Sequence, residues 1–202
     1  MSTPTGHERN ADQAAYWNGP AGQHWTDRQP MQDILLCDLP ENAKAVIEST
    51  LTDYGVRLPG RISLVRQHSM ACPAIPTCGL ALSEAERVLP NILADLESQL
   101  ERLGLDEEKI SVRMTGCPNG CARPYQSEIG IVGRSGDKYT LYVGGNLVGS
   151  RLSWVLKDLV PMAQIVPTLC RVLQDFKQHR EGDEAFGDYC ERRGPAHVQA
   201  LV

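Results

Sequence analysis

The stretch Ile110-Ser-Val-Arg-Met-Thr-Gly-Cys-Pro-Asn-Gly-Cys121 decides how this chain is read. Ile110 to Met114 alternates apolar and polar residues as a half-buried strand does, and the strand runs directly into Cys117. Cysteines four residues apart share a face if the turn between them is helical, and Pro118 suits the first position of such a turn. Upstream, across one long helical segment, stands a second pair, Cys72-Pro-Ala-Ile-Pro-Thr-Cys78. Four thiolates so disposed suit one iron-sulfur cube. The prolines and glycine around them fix the backbone or let it pass close to a bulky inorganic group. In a reducing compartment, paired cysteines point to metal or redox chemistry before disulfides. Zinc is the alternative metal, but its knuckles separate paired cysteines by about two to four residues. The first pair here has a five-residue spacer with two prolines, which fits zinc poorly. Cys37, Cys170 and Cys190 lie in apolar or helical contexts without partners at ligand spacing and read as small buried hydrophobes.

Composition narrows the rest. At 202 residues with 42% hydrophobic content, the chain can build one or two domains with real cores. A formal net charge of -5 argues against nucleic acid as a partner, because neutralising phosphates needs a basic face. No apolar run approaches a membrane span, and the polar first residues lack the basic start and apolar centre of a secretory signal. The expectation is a cytoplasmic protein with no membrane contact.

Working outward, the pattern is α+β. Ile34 to Cys37 reads as a short strand. Pro40 to Tyr54 reads as a helix with Ala43, Val46, Ile47 and Leu51 on one stripe, closed by Gly55. Leu58 to Ser69 carries Pro59-Gly60 and the basic residues Arg61, Arg66 and His68. A connecting helix is expected over Ser83 to Leu103, with Ser83 and Glu86 as a capping box and a kink or new start at Pro90. Its stripe of Leu89, Ile92, Leu93, Leu96, Leu100 and Leu103 is core, and Gly104 ends it. Glu128 to Val132 and Tyr139 to Val143 form a hairpin around Arg134-Ser-Gly-Asp137, and Gly144-Gly145 permits close backbone approach. Helices follow over about Met162 to His179 and Glu184 to Arg192, with Ile165, Leu169, Val172, Leu173 and Phe176 facing the core.

The strings Thr115-Gly-Cys-Pro-Asn-Gly-Cys-Ala-Arg-Pro124 and Ala71-Cys-Pro-Ala-Ile-Pro-Thr-Cys-Gly-Leu80 closely resemble the cluster-binding signature of the sulfite and nitrite reductase hemoproteins. The resemblance continues through Ser83-Glu-Ala-Glu-Arg87, Gly144-Gly-Asn146 and Phe186-Gly-Asp188, so it runs from about Gln32 almost to the end. It implies that Cys72, Cys78, Cys117 and Cys121 hold a 4Fe-4S cluster and that Cys121 also bridges to the iron of siroheme. Siroheme is rich in carboxylates, and the matching blocks offer Arg113, Thr115, Asn119, Arg123 and Asn146 as its contacts. The implied fold is the cluster-binding domain of a siroheme reductase over residues 58–202, preceded over 32–57 by the end of a ferredoxin-like half-domain. The implied activity is reduction of sulfite to sulfide, with nitrite as the other substrate. Thr77-Cys-Gly-Leu-Ala-Leu-Ser-Glu-Ala-Glu-Arg87 is most similar to the branch whose donor is ferredoxin.

In that family the residues that bind the oxyanion, and much of the siroheme pocket, come from the other half of a longer chain. The chain is therefore expected to be a C-terminal portion, incomplete as a catalyst without a partner N-terminal half. The competing reading is a non-catalytic iron-sulfur relay or an inactive truncated product. Residues 1–31 follow a different pattern: the cluster Tyr16-Trp17 and His24-Trp25 is similar to the opening of S-adenosylmethionine-dependent methyltransferases. No glycine-rich nucleotide loop follows it, so this stretch reads as an unrelated leader.

Overall fold

The architecture, described for residues 40–202 in a computed structural model, is α+β as the residue pattern implies. The expected strand Ile34–Cys37, the leader and Cys37 lie outside the described residues. After a 3-10 turn at Glu41–Ala43 comes helix α1, Lys44–Asp53, and Gly55 follows it at φ 75. No residue of α1 is buried, and Val46 is 68% exposed, so the predicted apolar stripe covers no core. Residues Ala45–Val202 form one compact unit.

The short helix α2, Leu64–Gln67, leads into strand β1, Ser69–Ala71. The other strands are β2, Val112–Thr115, β3, Ile129–Ser135, β4, Lys138–Val143, and β5, Trp154–Pro161. They form one sheet in the order β1-β2-β3-β4-β5. β1 pairs parallel to β2 with Ala71 opposite Met114, and β2 pairs parallel to β3, whereas β3–β4 and β4–β5 are antiparallel. Parallel neighbours require a crossover, and between β1 and β2 it contains helix α3, Leu89–Leu103. Leu89, Ile92, Leu93, Leu96 and Leu100 of α3 are buried, each stabilising the fold by about 1.5–3 kcal/mol relative to exposure. Gly104 caps the helix in the left-handed conformation at φ 63.

Helix α3 does not start at Ser83. Pro90 lacks an N–H and its ring obstructs a preceding turn, so the helix begins at Leu89 with the proline in its first turn. Ser83 instead makes an isolated parallel bridge to Gly136, and the expected capping box with Glu86 does not form. The β3–β4 hairpin is where the sequence predicts it. Strand β5 has no counterpart in the sequence reading, and its pairing explains why. Register shifts at Tyr139/Leu141 and Leu141/Tyr142 interrupt the ladder, and the buried residues Leu156 and Val160 fall four apart instead of alternating. Helices α4, Ile165–His179, and α5, Phe186–Gln199, complete the unit. α4 starts after a 3-10 turn at Met162–Gln164, and α5 runs past the expected end at Arg192, with a kink at Gly194 before Pro195. Phe176 of α4 meets Phe186 and Tyr189 of α5 edge-on, at 5.6 and 5.3 Å between centroids. Among the described residues no helix is long and apolar enough to cross a membrane.

One buried carboxylate joins three elements. Glu128, with no solvent exposure, accepts hydrogen bonds from the Ser111 N–H at 2.9 Å and the Gly187 N–H at 3.1 Å. Burial pushes its carboxyl above the ordinary range, against the pull of the Ser111 and Gly187 amides. Glu128→Ala leaves both amides unpaired in the interior and should cost about 2–4 kcal/mol in a denaturant titration. A raised folded-state pKa means that the stability from this group is full below its unfolded pKa and declines as pH rises through the folded value. The gap between wild type and variant should therefore narrow as pH rises. An unchanged midpoint for the variant would contradict the role assigned to Glu128.

Candidate metal centre

Because β1 and β2 run parallel, both end at the same edge of the sheet, and a cysteine follows each end. Cys72 extends the ladder by one bond, its N–H donating to the Met114 carbonyl at 3.1 Å. Its Sγ accepts a hydrogen bond from the Gly116 N–H at 3.3 Å, one residue before Cys117. Burial pushes the Cys72 thiol up, the Gly116 and Ala74 amides pull it down, and the Cys121 and Cys117 thiols lie near enough to push it up further. Cys72, Cys117 and Cys121 thus share one locality. Cys117 is buried, Cys72 and Cys78 are half-buried and Cys121 is exposed. Cys78 closes a turn by donating its N–H to the Ala74 carbonyl at 2.7 Å. Among the described residues, no three His, Cys, Asp or Glu side chains are grouped closely enough to hold a metal ion. The donor set fits an iron-sulfur group in kind: soft thiolates, with an amide N–H already directed at sulfur.

The run Ser83 to Arg87 braces this edge. The amides of Leu82 and Ser83 both donate to the Gly116 carbonyl at 2.9 Å, and the Tyr139 hydroxyl donates to the Glu84 carbonyl at 2.9 Å. Arg87 pairs with Glu84 at 3.1 Å and donates to the Ile75 carbonyl between the first two cysteines. A Cβ on Gly116 would stand 2.5 Å from the Ser83 carbonyl oxygen and 2.6 Å from the Ala74 Cβ, so only glycine lets these segments cross.

Of the candidate cofactor contacts, Arg113 and Arg123 lie together. Desolvation holds the Arg113 guanidinium below its ordinary value, and the charge of Arg123 adds to this. Arg113 contacts the Ala122 carbonyl and the Met70 sulfur, both at 3.4 Å. Neither arginine has a carboxylate partner among the described residues. Thr115 is buried with its Oγ1 unpartnered, and Asn119 is exposed. The Asn146 amide is engaged within its own loop, donating to Ser150 Oγ and accepting from the Ser150 N–H, both at 2.9 Å.

Other arginines are already committed. Arg66 pairs with Glu97 at 2.6 Å. Arg151 donates to the carbonyls of Gly144 at 2.7 Å and Gly145 at 3.1 Å and pairs with Asp188 at 2.7 Å. The last set joins Gly144-Gly-Asn146 to Phe186-Gly-Asp188, two blocks far apart in sequence. Pattern reasoning finds the blocks but not the arginine between them. Cys170 packs beside the core, and Cys190 is fully buried with its thiol pushed up by burial, so both behave as hydrophobes.

Curated relatives match most of the chain. It is 44% identical over 165 residues to the sulfite reductase [NADPH] hemoprotein beta-component of Afipia carboxidovorans, covering 82% of this chain and 28% of the relative. To the protein of the same name in Methylorubrum extorquens it is 45% identical over 163 residues, 81% of this chain and 26% of that one. To that of Staphylococcus carnosus it is 41% identical over 165 residues, 82% and 29%. The chain thus spans little more than a quarter of the length of these relatives. The solved structure of the NirA protein of Mycobacterium tuberculosis superposes with a TM-score of 0.69 at 26% identity, over 84% of this chain and 33% of that one. No protein-family model matches the chain.

The arginine clamp has a measurable consequence. Arg151→Ala removes three hydrogen bonds, two of them to backbone carbonyls, whereas Asp188→Ala removes one. Hydrogen exchange of residues 144–150 should accelerate by about tenfold in the first variant and by less in the second. Equal, small effects would show that the loop is held by other contacts.

Proposed function

We propose that this chain supplies the iron-sulfur and siroheme-facing part of a sulfite reductase, acting together with a further polypeptide segment that completes the pocket. The observation that carries this reading is that the parallel strands β1 and β2 deliver Cys72 and Cys117 to one end of the sheet, with the Gly116 amide bonded to the Cys72 sulfur. Cys72, Cys78, Cys117 and Cys121 would hold a 4Fe-4S cluster, and Cys121, the exposed thiol, would also help to hold siroheme. When bound, these groups would supply the electron storage and transfer that sulfite reduction needs.

The chain's own residues contribute position and charge. Arg113 and Arg123 would neutralise siroheme carboxylates, with Thr115 and Asn119 offering a hydroxyl and an amide beside them. Asn146 would act through its loop, with one amide hydrogen left to donate. Cleaving sulfur–oxygen bonds also needs a cationic cage around the oxyanion, shielded from water. Arg66, Arg87, Arg134, Arg151, Arg180 and Arg192 are each paired with a carboxylate, which argues against their forming that cage. The relatives are about three times as long, and the part of them that the match leaves uncovered is the natural source of the cage. Their name, beta-component of an NADPH enzyme, favours a partner that carries electrons from NADPH over ferredoxin, which the run Thr77 to Arg87 suggested.

Anaerobic reconstitution with iron and sulfide should load about four irons per chain. Cys78→Ser should abolish the broad visible absorption, and Cys170→Ser should leave it. Stoichiometric zinc with no iron would overturn the reading. With siroheme added, the isolated chain should reduce sulfite negligibly until the remaining segment of a related reductase is supplied. Turnover by this chain alone at the rate of a complete enzyme would refute the division of the pocket.

A further inference from the structure

The segment between Cys117 and Cys121 is a loop with little backbone support. Pro118, Asn119 and Cys121 are exposed, and the only backbone hydrogen bonds at the turn among the described residues are Gly120 N–H to the Cys117 carbonyl at 3.4 Å and Arg123 N–H to the Gly120 carbonyl at 2.7 Å. Arg113 of β2 reaches the far end of this turn at the Ala122 carbonyl, 3.4 Å away, and a second side chain ties its near end to the sheet. Tyr125, in the 3-10 turn Pro124–Gln126, donates its hydroxyl hydrogen to the Pro118 carbonyl at 2.8 Å. Its ring lies against Gly120, where an added Cβ would stand 2.7 Å from Cε2 and where φ is 69.

The other end of Tyr125 is fixed. Its ring meets that of Tyr142 on β4 edge-on, with centroids 5.1 Å apart and planes at 84°. Its carbonyl accepts the Ser153 N–H at 2.8 Å, immediately before β5. The phenol therefore spans from the antiparallel part of the sheet to the Pro118–Asn119 peptide.

We propose that Tyr125 is a positioning residue for the second cysteine pair, holding the Cys117–Cys121 loop through its hydroxyl and keeping Cys117 buried. The inference rests on the proposed function only for what the loop holds; the tie itself exists without a cofactor. A loop with fewer accessible states loses less entropy on ligation and releases its ligand more slowly, which is how groups behind the ligands of a metal site act.

Two arms test it with the full chain. In metal-free protein, alkylation of each cysteine by a maleimide is followed by mass spectrometry. Removing one neutral hydrogen bond in Tyr125→Phe should speed modification of Cys117 about three- to tenfold. Cys190, fully buried far along the chain, reports global opening and should stay at the wild-type rate. Tyr142→Phe, which keeps both rings and the Pro118 bond, should match wild type at every cysteine. In iron-loaded protein, Tyr125→Phe should lose iron to a chelator faster by a similar factor. Wild-type rates for Cys117 in Tyr125→Phe would overturn the proposal, as would equal acceleration at Cys117 and Cys190. If the wild-type chain takes up no iron, the proposed function fails, and the thiol rates alone still decide the role of Tyr125.

Discussion

Parallel pairing of β1 with β2, with Ala71 opposite Met114, is the constraint on which the rest depends. Parallel strands finish at the same edge, so whatever follows each strand meets there. Here a cysteine follows each one. Had the strands been antiparallel, the same residues would have placed the pairs at opposite ends of the sheet. Parallel pairing needs a long return connection, and the buried stripe of α3 holds that return against the sheet. The core packing of a helix with no ligand of its own thereby fixes where the thiols stand.

Around that edge the chain spends its polar groups on holding loops. Arg87 reaches the Ile75 carbonyl, Arg151 reaches Gly144, Gly145 and Asp188, and Glu128 gathers the Ser111 and Gly187 amides. These ties give a structural role to blocks of sequence that look functional. Arg113 and Arg123 stand apart, close to one another and without acidic partners among the described residues. Arg113 reaches the Ala122 carbonyl, just past Cys121, so its charge lies next to the second cysteine pair.

Much of this was legible in the sequence because it depends on local signals. The strand ending at Cys117, the β3–β4 hairpin, the stripe of α3 and the cysteine spacing each sit within a few residues. What escaped was non-local. Strand β5 hides behind register shifts that space its buried residues four apart, so its pattern imitates a helix. The start of α3 turned on one proline, where steric exclusion prevailed over the attraction of a capping box at Ser83. Tyr125 and Arg151 act on residues that only the fold brings near, and no periodicity marks them. Helix α1 shows the reverse: its stripe is visible in the sequence, but none of its residues is buried.

Mössbauer spectroscopy of the anaerobically reconstituted full chain tests most directly whether the two cysteine pairs act on one cluster. The proposed site predicts a single class of iron with the delocalised valence of a 4Fe-4S cube, lost together when either pair is changed to serine. Isolated tetrathiolate iron, or a spectrum that survives removal of Cys72 and Cys78, would contradict the shared site.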